Sequence, residues 1–164
     1  MEHIQYQVTS MLGALYLTAS DAGLTGVYFE RQPMPVVKRF KAESVAKQVL
    51  LEAAQQLDEY FKGTRKRFDL RLRMSGTDFQ QQVWRELLKI PYGRTVSYRD
   101  IARRIENPKA VRAVGGANGR NPFCIIVPCH RVIASDGTIG GYSGGLGIKR
   151  RLLKLEGVSC DKNL

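Results

Sequence analysis

The sequence has few cysteines and histidines and no long apolar run. Its 164 residues include three cysteines and two histidines. Cys124, Cys129 and Cys160 are odd in number and lack the paired spacing of a zinc knuckle, which argues against a disulfide framework and a structural metal. There is also neither a basic leader, nor an apolar signal core, nor a stretch approaching the roughly 18 apolar residues of a membrane span. We therefore expect a soluble cytoplasmic protein without a cofactor, in which at least one thiol is free.

Acidic side chains are scarce relative to basic ones. The chain has 26 Lys and Arg against 15 Asp and Glu, a formal net charge of +11. Such a field attracts polyanions, meaning nucleic acid or an acidic membrane surface. Residues 1–75 carry 11 basic and 8 acidic side chains, whereas residues 76–164 carry 15 and 7. The second part is therefore the better candidate for polyanion binding.

Residues 1–75 have the pattern of a small α+β lobe. Segments rich in Tyr, Val, Leu and Thr, separated by turn residues, predict an antiparallel meander over residues 4–9, 14–19 and 24–30. Residues 42–62 place apolar side chains near one helical face before Gly63. Residues 68–74 alternate apolar and charged side chains, the period of an edge or half-buried strand.

Residues 76–164 predict a mostly helical lobe. Thr77 and Gln80 have the spacing of a capping box at the start of one helix. Ser97 can cap a second short helix, and Asn107-Pro108 supplies an N-cap and a first-turn proline for a third, over residues 109–118. Two short helices joined by a tight turn resemble a helix-turn-helix. A last helix is expected near residues 148–156.

The third predicted helix is small-sided and rich in glycine. Its backbone can come close to another surface while Arg112 projects beyond it, which suits a DNA groove. A helix packed closely on a neighbouring element would use the same small residues. The segment alone favours neither interpretation.

The chemistry is concentrated at residues 128–131, Pro-Cys-His-Arg, which follow the apolar run 123–127. A thiol needs a base or a nearby positive charge to form the nucleophilic thiolate, and imidazole titrates near neutrality. Adjacent side chains on a strand point to opposite faces, so the dipeptide alone is weak evidence. We interpret Cys124 as a buried cysteine that serves as a small hydrophobic residue.

A glycine-rich segment follows at residues 136–146, with five glycines in eleven residues. Such a segment lets backbone N–H groups approach a flat ligand closely. A flexible surface loop would have the same composition, so the segment by itself favours the loop.

Three motifs together resemble the O6-alkylguanine-DNA alkyltransferases: residues 128–132 (Pro-Cys-His-Arg-Val), residues 112–117 with Asn121-Pro122, and residues 142–146 (Tyr-Ser-Gly-Gly-Leu). The match is dense over residues 77–157 and rests on the arrangement of elements in the first lobe. The resemblance implies DNA repair by direct reversal, in which an alkyl group moves irreversibly from O6-alkylguanine in double-stranded DNA to the protein itself. O4-alkylthymine is a second candidate substrate. The protein would be a monomer that binds DNA cooperatively.

The resemblance also implies roles for individual residues. Cys129 would accept the alkyl group, His130 would act as its base through a water molecule, and Glu156 would polarise the imidazole. An SN2 displacement at a methyl carbon needs a soft nucleophile, which a thiolate provides. Tyr98 would donate toward a ring nitrogen of the departing guanine, and Asn121 would brace the site by hydrogen bonding.

The remaining implied roles concern DNA and the base pocket. Arg112 resembles the arginine finger that fills the gap left by the flipped nucleotide. The other implied DNA-binding residues are Ala113, Gly115, Gly116, Ala117 and Arg120. The implied pocket residues are Tyr142, Ser143, Gly144 and Val132. Two features of the sequence depart from the family pattern. Some members have a zinc site in the first lobe, but this lobe has only His3 and no cysteine, so we predict no metal. Residues 118–120 (Asn-Gly-Arg) also differ from the arrangement in some members.

Two other functions use the same residues. A hydrolase with Cys129, His130 and Glu156 as a thiol triad would turn over, but it leaves the basic second lobe without a purpose. A non-enzymatic DNA-binding module, such as a lesion sensor, would keep every function after Cys129→Ala. The repair hypothesis predicts that this change leaves binding largely intact and abolishes transfer.

The charge balance makes a prediction about DNA affinity. Each phosphate contacted by Lys or Arg releases counterions, so we expect the logarithm of the binding constant to fall with the logarithm of salt concentration by roughly 0.9 per contact. Titration of a labelled duplex from low to physiological salt measures this slope. An affinity that stays flat over that range would contradict an electrostatic origin of binding.

Overall fold

The protein, described here from a computed structural model, forms two compact units. The structure describes residues 2–37 and 44–159. The units are Met1–Ser75 and Gly76–Leu164. Residues 42–43 of the first predicted helix and Cys160 lie outside the described residues. No helix within the described ranges is long and apolar enough to cross a membrane.

The first unit is a three-stranded antiparallel meander with one helix packed against it. The strands are β1 Ile4–Ser10, β2 Gly13–Ser20 and β3 Gly23–Tyr28, in the order β1-β2-β3. Helix α1, Val45–Phe61, starts where the Ser44 hydroxyl accepts a hydrogen bond from the Lys47 amide. The helix contacts all three strands. Leucines from the sheet and the helix are fully buried between them: Leu15, Leu17, Leu24 and Leu50. The predicted α+β class is confirmed.

The strand predicted at residues 68–74 is wrong as a strand, although its alternation of half-buried and exposed side chains is present. The segment pairs with β3 at one point, where the Leu24 amide donates to the Arg71 carbonyl (2.8 Å) and the Arg73 amide donates to the Leu24 carbonyl (2.7 Å). Nearby, the Gln56 side chain takes both backbone groups of Asp69, each at 2.9 Å. A helix side chain thus takes the place of a neighbouring strand.

The second unit is mostly helical. Its elements are α2 Asp78–Leu87, β4 Val96–Ser97, α3 Tyr98–Arg104, α4 Val111–Gly119, a 3₁₀ turn Cys129–Arg131, β5 Val132–Ile133 and α5 Leu146–Leu155. Strands β4 and β5 pair in parallel. The capping box predicted at Thr77 and Gln80 is present at the start of α2, and Ser97 forms a second one with Asp100 at the start of α3. These caps set where two of the helices begin.

The predicted start of the third helix of this unit is wrong. Asn107 does not cap α4, because its backbone closes the preceding turn: its amide donates to the Ala102 carbonyl and its carbonyl accepts from the Ala110 amide. Glu106 has a φ of 59° in this turn. The helix instead begins at Val111 after Ala110, which makes no side-chain capping bond.

Candidate active site

The nucleophile predicted from the sequence lies in the 3₁₀ turn that follows the buried segment 123–127. Cys129 and His130 are 2% and 0% exposed. A 3₁₀ helix has three residues per turn, so neighbouring side chains are not forced to opposite faces as they are on a strand. Because the dipeptide lies in a 3₁₀ turn and not on a strand, strand geometry does not separate the Cys129 and His130 side chains.

Asn121 fixes the segment that leads to the nucleophile. Its Nδ2 donates to the Val127 carbonyl (2.8 Å), and its Oδ1 accepts from the Phe123 amide (2.9 Å). The same amide acts to lower the pKa of the Cys129 thiol. Asn121 is 6% exposed, so these bonds join both ends of an apolar stretch inside the core.

The Glu156 carboxylate joins three elements at the back of the site. It lies 2.6 Å from His130 Nε2, accepts from Arg131 Nε at 2.8 Å and Nη2 at 3.1 Å, and accepts from the Gly93 amide at 3.1 Å. Burial acts to raise the pKa of this carboxyl, but the hydrogen bonds from His130 and Arg131 outweigh it and lower the pKa to about 2. Glu156 is therefore ionised at neutral pH.

The ionised carboxylate determines the tautomer of His130. Burial lowers the pKa of this imidazole, more than its bond to Glu156 raises it, so the ring is neutral at pH 7. A carboxylate only accepts, so the single ring proton must be on Nε2, facing Glu156. His130 Nδ1 therefore carries the lone pair, and it has no hydrogen-bond partner among the described residues. The ring is left with one buried acceptor for a proton.

Arg131 is a site residue that sequence reasoning quoted only as part of a motif. Besides its two bonds to Glu156, it donates from Nη1 to the Ile90 carbonyl at 2.7 Å, and its guanidinium lies 5.7 Å from the centre of the Tyr92 ring. An ionised carboxylate in the core needs a counter-charge with fixed geometry. Arg131 supplies it and so leaves His130 neutral.

Lys149 is a second residue that the sequence analysis missed. It is fully buried on α5, and its ammonium donates to the carbonyls of Val132 (2.7 Å), Ile139 (2.5 Å) and Gly141 (2.9 Å). It thus ties the start of the glycine-rich segment to the strand after the nucleophile. The signal in the sequence was a lysine three and four residues before the buried Leu152 and Leu153, on the apolar face of the helix.

The Cys129 thiol is protonated in the resting protein. Burial, with the neighbouring Cys124, raises its pKa to about 12, while the Asn121 amide and the Lys149 charge act in the opposite direction. A thiolate is the form that attacks carbon. The proton must therefore leave during the reaction, and a neutral base beside the thiol is required.

Cys129 opens onto a cavity of about 160 Å³. The cavity is lined by Tyr98, Gly115, Asn118, Gly119, Cys129, Gly141, Tyr142 and Ser143. Three residues expected at the substrate, Tyr98, Tyr142 and Ser143, are thus brought together. Gly144 is not among the lining residues, and Val132 is fully buried and contributes its carbonyl to Lys149.

The phenol of Tyr98 is held at the cavity by the glycine-rich segment. Burial, and after it the neighbouring Cys129, raises the pKa of this phenol, so the hydroxyl keeps its proton and can donate. At Gly140, φ is 71° and a Cβ would lie 3.1 Å from the Tyr98 hydroxyl. Only glycine suits that backbone and that approach.

Cys124 lies behind the cavity wall. It is 5% exposed, and its Sγ is 3.8 Å from the Ser143 hydroxyl. Burial raises the pKa of this thiol. Cys124 is therefore a neutral packing group at the pocket wall, in agreement with its interpretation as a small hydrophobe.

Helix α4 has two different faces. Val114, Ala117 and Asn118 are buried, and the Ala117 carbonyl accepts from the Trp84 indole at 2.9 Å. The other face is exposed and carries Arg112, Ala113, Gly116 and Arg120, with Gly115 half-buried at the cavity. Close packing thus explains the small residues on one face of the helix. The other face is exposed and carries the two arginines. Ala117 is on the packed face.

Within residues 2–37 and 44–159, no group of three or more His, Cys, Asp or Glu side chains could hold a metal ion.

Two domains of one known family match the chain. Residues 6–74 match the family described as "6-O-methylguanine DNA methyltransferase, ribonuclease-like domain". Residues 78–158 match the one described as "6-O-methylguanine DNA methyltransferase, DNA binding domain". Together the two matches cover most of the chain.

Proteins and solved structures that are similar to this chain are named as methyltransferases of the same kind or as OGT. The chain is 47% identical to a methylated-DNA–protein-cysteine methyltransferase of Methanosarcina barkeri over 91% of this chain and 94% of that protein. The corresponding protein of Methanosarcina acetivorans is 48% identical over 92% of this chain and 96% of that protein. The crystal structure of Mycobacterium tuberculosis OGT in complex with DNA has a TM-score of 0.83 and 43% identity, and the match covers 93% of this chain and 92% of that chain.

The Glu156 cluster makes a prediction about acid stability. A carboxyl whose pKa is lowered on folding, here to about 2, stabilises the protein above its unfolded pKa near 4.5, and this contribution is lost as pH falls toward 2. We expect Glu156→Gln to lower the free energy of unfolding by about 3–5 kcal/mol at pH 7, because Arg131 remains buried without its partner. Denaturant unfolding at a series of pH values should show the gap from wild type closing between pH 4.5 and 2.

The control is Glu52→Gln, on an exposed position of α1, which should stay within about 0.5 kcal/mol of wild type. A gap for Glu156→Gln that is constant from pH 7 to pH 2 would contradict the argument.

Lys149 makes a second prediction. Lys149→Met keeps the length of the side chain but removes the donor from three backbone carbonyls, so we expect a loss of about 3 kcal/mol in the free energy of unfolding and faster hydrogen exchange in residues 139–142. The matched control is Lys154→Met on the exposed side of the same helix. Equal stability of the two variants would show that the buried ammonium does not hold the loop.

Proposed function

The chain belongs to the family of 6-O-methylguanine DNA methyltransferases, also named methylated-DNA–protein-cysteine methyltransferases, and we propose that Cys129 is its acceptor cysteine. The protein repairs DNA by direct reversal: it transfers an alkyl group from O6-alkylguanine in DNA to itself, once per molecule. The observation that carries the residue assignment is the position of Cys129 in the wall of the cavity of about 160 Å³, directly before the histidine that is bonded to Glu156.

His130 is the base in this proposal. Its Nδ1 lone pair accepts the thiol proton through a water molecule, while Nε2–H stays bonded to Glu156. The imidazolium that forms is stabilised by the carboxylate at 2.6 Å. A thiol with a pKa of about 12 forms the reactive thiolate only when a base, here His130, accepts its proton. Arg131 is a positioning residue that acts through Glu156.

The alkyl transfer itself is a single displacement. The Cys129 sulfur forms a bond to the alkyl carbon as the bond from that carbon to O6 breaks, and the electron pair of the broken bond passes to the guanine. Tyr98 donates toward a ring nitrogen, and the backbone N–H of Ser143 donates toward O6, so fixed donors stabilise the charge on the departing base. The proton that left the thiol completes the neutral guanine. A thioether is a poor leaving group, so the protein is spent after one transfer.

The exposed face of α4 is the proposed DNA contact. Arg112 projects from the first turn of the helix, and the small residues Ala113 and Gly116 beside it let the backbone approach a groove. The arginine would fill the gap in the base stack after the damaged nucleotide rotates into the cavity, offsetting part of a cost of a few kcal/mol. Arg120, at the end of the helix, would contact a phosphate.

The two units have separate roles in this proposal. Residues 76–164, which carry the cavity and the larger positive charge, form the DNA-binding and alkyl-transfer domain, with α3 and α4 as its helix-turn-helix. Residues 1–75 form the N-terminal lobe. The DNA of the archaeal and bacterial cells that contain the relatives is cytoplasmic, so we place this protein in the cytoplasm. It would act as a monomer that binds DNA cooperatively.

Label transfer tests the proposal. Duplex DNA with a labelled O6-methylguanine, in excess over protein, should add one methyl group per molecule, located by intact mass and peptide mapping at Cys129. Cys129→Ser should bind the duplex and gain no label, because a buried hydroxyl is a far weaker nucleophile. Cys124→Ser changes the other described cysteine of the pocket region and should still be labelled.

The other outcomes separate the competing functions. Binding without label on the wild type would favour a lesion sensor, and continuous release of label to solvent would favour a hydrolase that turns over.

A further inference from the structure

The end of the first unit has a basic face to which the proposed function gives no role. Six of the eleven lysines and arginines of residues 1–75 fall within residues 62–73, where Asp69 is the one acidic residue. Exposed and half-buried side chains alternate along the last part of this segment. The exposed positions are Arg67, Asp69, Arg71 and Arg73. We call the three arginines the arginine strip.

The charges of the arginine strip are not neutralised by the acidic residues nearby. Asp58 pairs with Lys62 at 2.7 Å, and Glu59 pairs with Arg65 at 3.4 Å. Among the described residues, no carboxylate forms an ion pair with an arginine of the strip, and this includes Asp69 on the same face. With three arginines and one aspartate, the face keeps a charge of +2.

The backbone beneath the arginine strip is held in place. Phe68 packs with its ring 5.5 Å from that of Tyr60, which is fully buried. Farther along, the Arg71 carbonyl accepts from the Leu24 amide at 2.8 Å. At Gly23, φ is 134° and a Cβ would lie 2.6 Å from the same carbonyl oxygen, so only glycine allows this approach. The arginines therefore extend from a fixed segment of the unit.

The spacing and chemistry of the arginine strip suit a row of phosphates. Successive side chains on one face of an extended segment are about 7 Å apart, and phosphates advance by roughly 3.4 Å per nucleotide along one DNA strand. Arg71 and Arg73 can therefore each reach a phosphate, with one phosphate between them. A guanidinium binds phosphate through two parallel hydrogen bonds, which an ammonium does not. Like charges on a fixed backbone repel one another, and a polyanion relieves that repulsion.

We propose that the arginine strip is a second DNA-binding surface, on the first unit, that contacts the phosphate backbone of a duplex independently of its sequence. It adds to the affinity for all duplex DNA, damaged or not. DNA as the partner follows from the family to which the chain belongs. The inference does not depend on Cys129 as the acceptor or on the DNA contact of α4.

The test measures the salt dependence of binding to an undamaged duplex by fluorescence anisotropy. Arg67→Gln, Arg71→Gln and Arg73→Gln are combined in one variant of the full chain. Each lost phosphate contact reduces the slope of log K against log salt by about 0.9, so we expect a slope that is shallower by about 2 to 3 and an affinity lower on the order of ten-fold. A wild-type slope and affinity in this variant would overturn the proposal.

A matched pair of single variants separates a contact from net charge. Arg71→Gln removes one exposed charge of the arginine strip, and Lys62→Gln removes one exposed charge that is already paired with Asp58. We expect Arg71→Gln to reduce the slope by about 0.9 and Lys62→Gln to leave it unchanged. Equal reductions in the two variants would show that only net charge matters, and would overturn the proposal.

A measurement on the wild type needs no variant to fold. Phenylglyoxal modifies accessible arginines, and peptide mapping locates the modified residues. We expect an undamaged duplex to slow modification of Arg67, Arg71 and Arg73, and rates that are equal with and without the duplex would overturn the proposal. Unchanged duplex binding by the triple variant, with loss of binding to phosphatidylserine vesicles, would assign the strip to a membrane surface and also overturn it. Methyl transfer is not read in any of these experiments, so a failure of the Cys129 assignment would leave their results unchanged.

Discussion

The site depends on one buried carboxylate. Glu156 lies just after α5, yet its oxygens meet the turn that carries the nucleophile, through His130 and Arg131, and the turn after α2, through the Gly93 amide. A carboxylate buried without partners would be neutralised or would destabilise the fold. Here the partners hold it ionised, and in return it fixes where the ring proton of His130 lies. The Glu156 charge thus connects separate segments of the second unit and also determines which nitrogen of His130 carries the proton.

The cavity walls also depend on a buried charge, that of Lys149. Two stretches of backbone have to come close to a flat ligand, one from α4 and one from the glycine-rich segment after β5. Small side chains allow the approach on both sides, and Lys149 holds the second stretch in place through the carbonyls of Ile139 and Gly141. A buried cation beneath a glycine-rich segment gives it a fixed shape. The same cation opposes the rise in the pKa of Cys129 that burial causes.

Local signals in the sequence predicted much of this architecture. The caps at Thr77 and Ser97 begin helices where expected, and segments rich in Tyr, Val, Leu and Thr between turn residues predicted the meander of the first unit. The failures occurred where side chains and backbone compete for the same hydrogen bonds. Gln56 takes the Asp69 backbone groups that a strand would have used, and the Asn107 backbone closes a turn where a cap was expected. The roles of Arg131 and Lys149 could not be predicted, because their hydrogen-bond partners are distant in sequence.

Two statements about His130 are central: burial keeps the imidazole neutral, and Glu156 holds its proton on Nε2, which leaves Nδ1 to accept a proton from Cys129. Nitrogen-15 NMR of the imidazole side chains measures this directly, and with two histidines in the chain, His3 exposed and His130 buried, the signals can be assigned by one substitution. We expect a neutral His130 at pH 7, protonated on Nε2 and unprotonated on Nδ1. A His130 that is an imidazolium at pH 7, or that carries its proton on Nδ1, would contradict it.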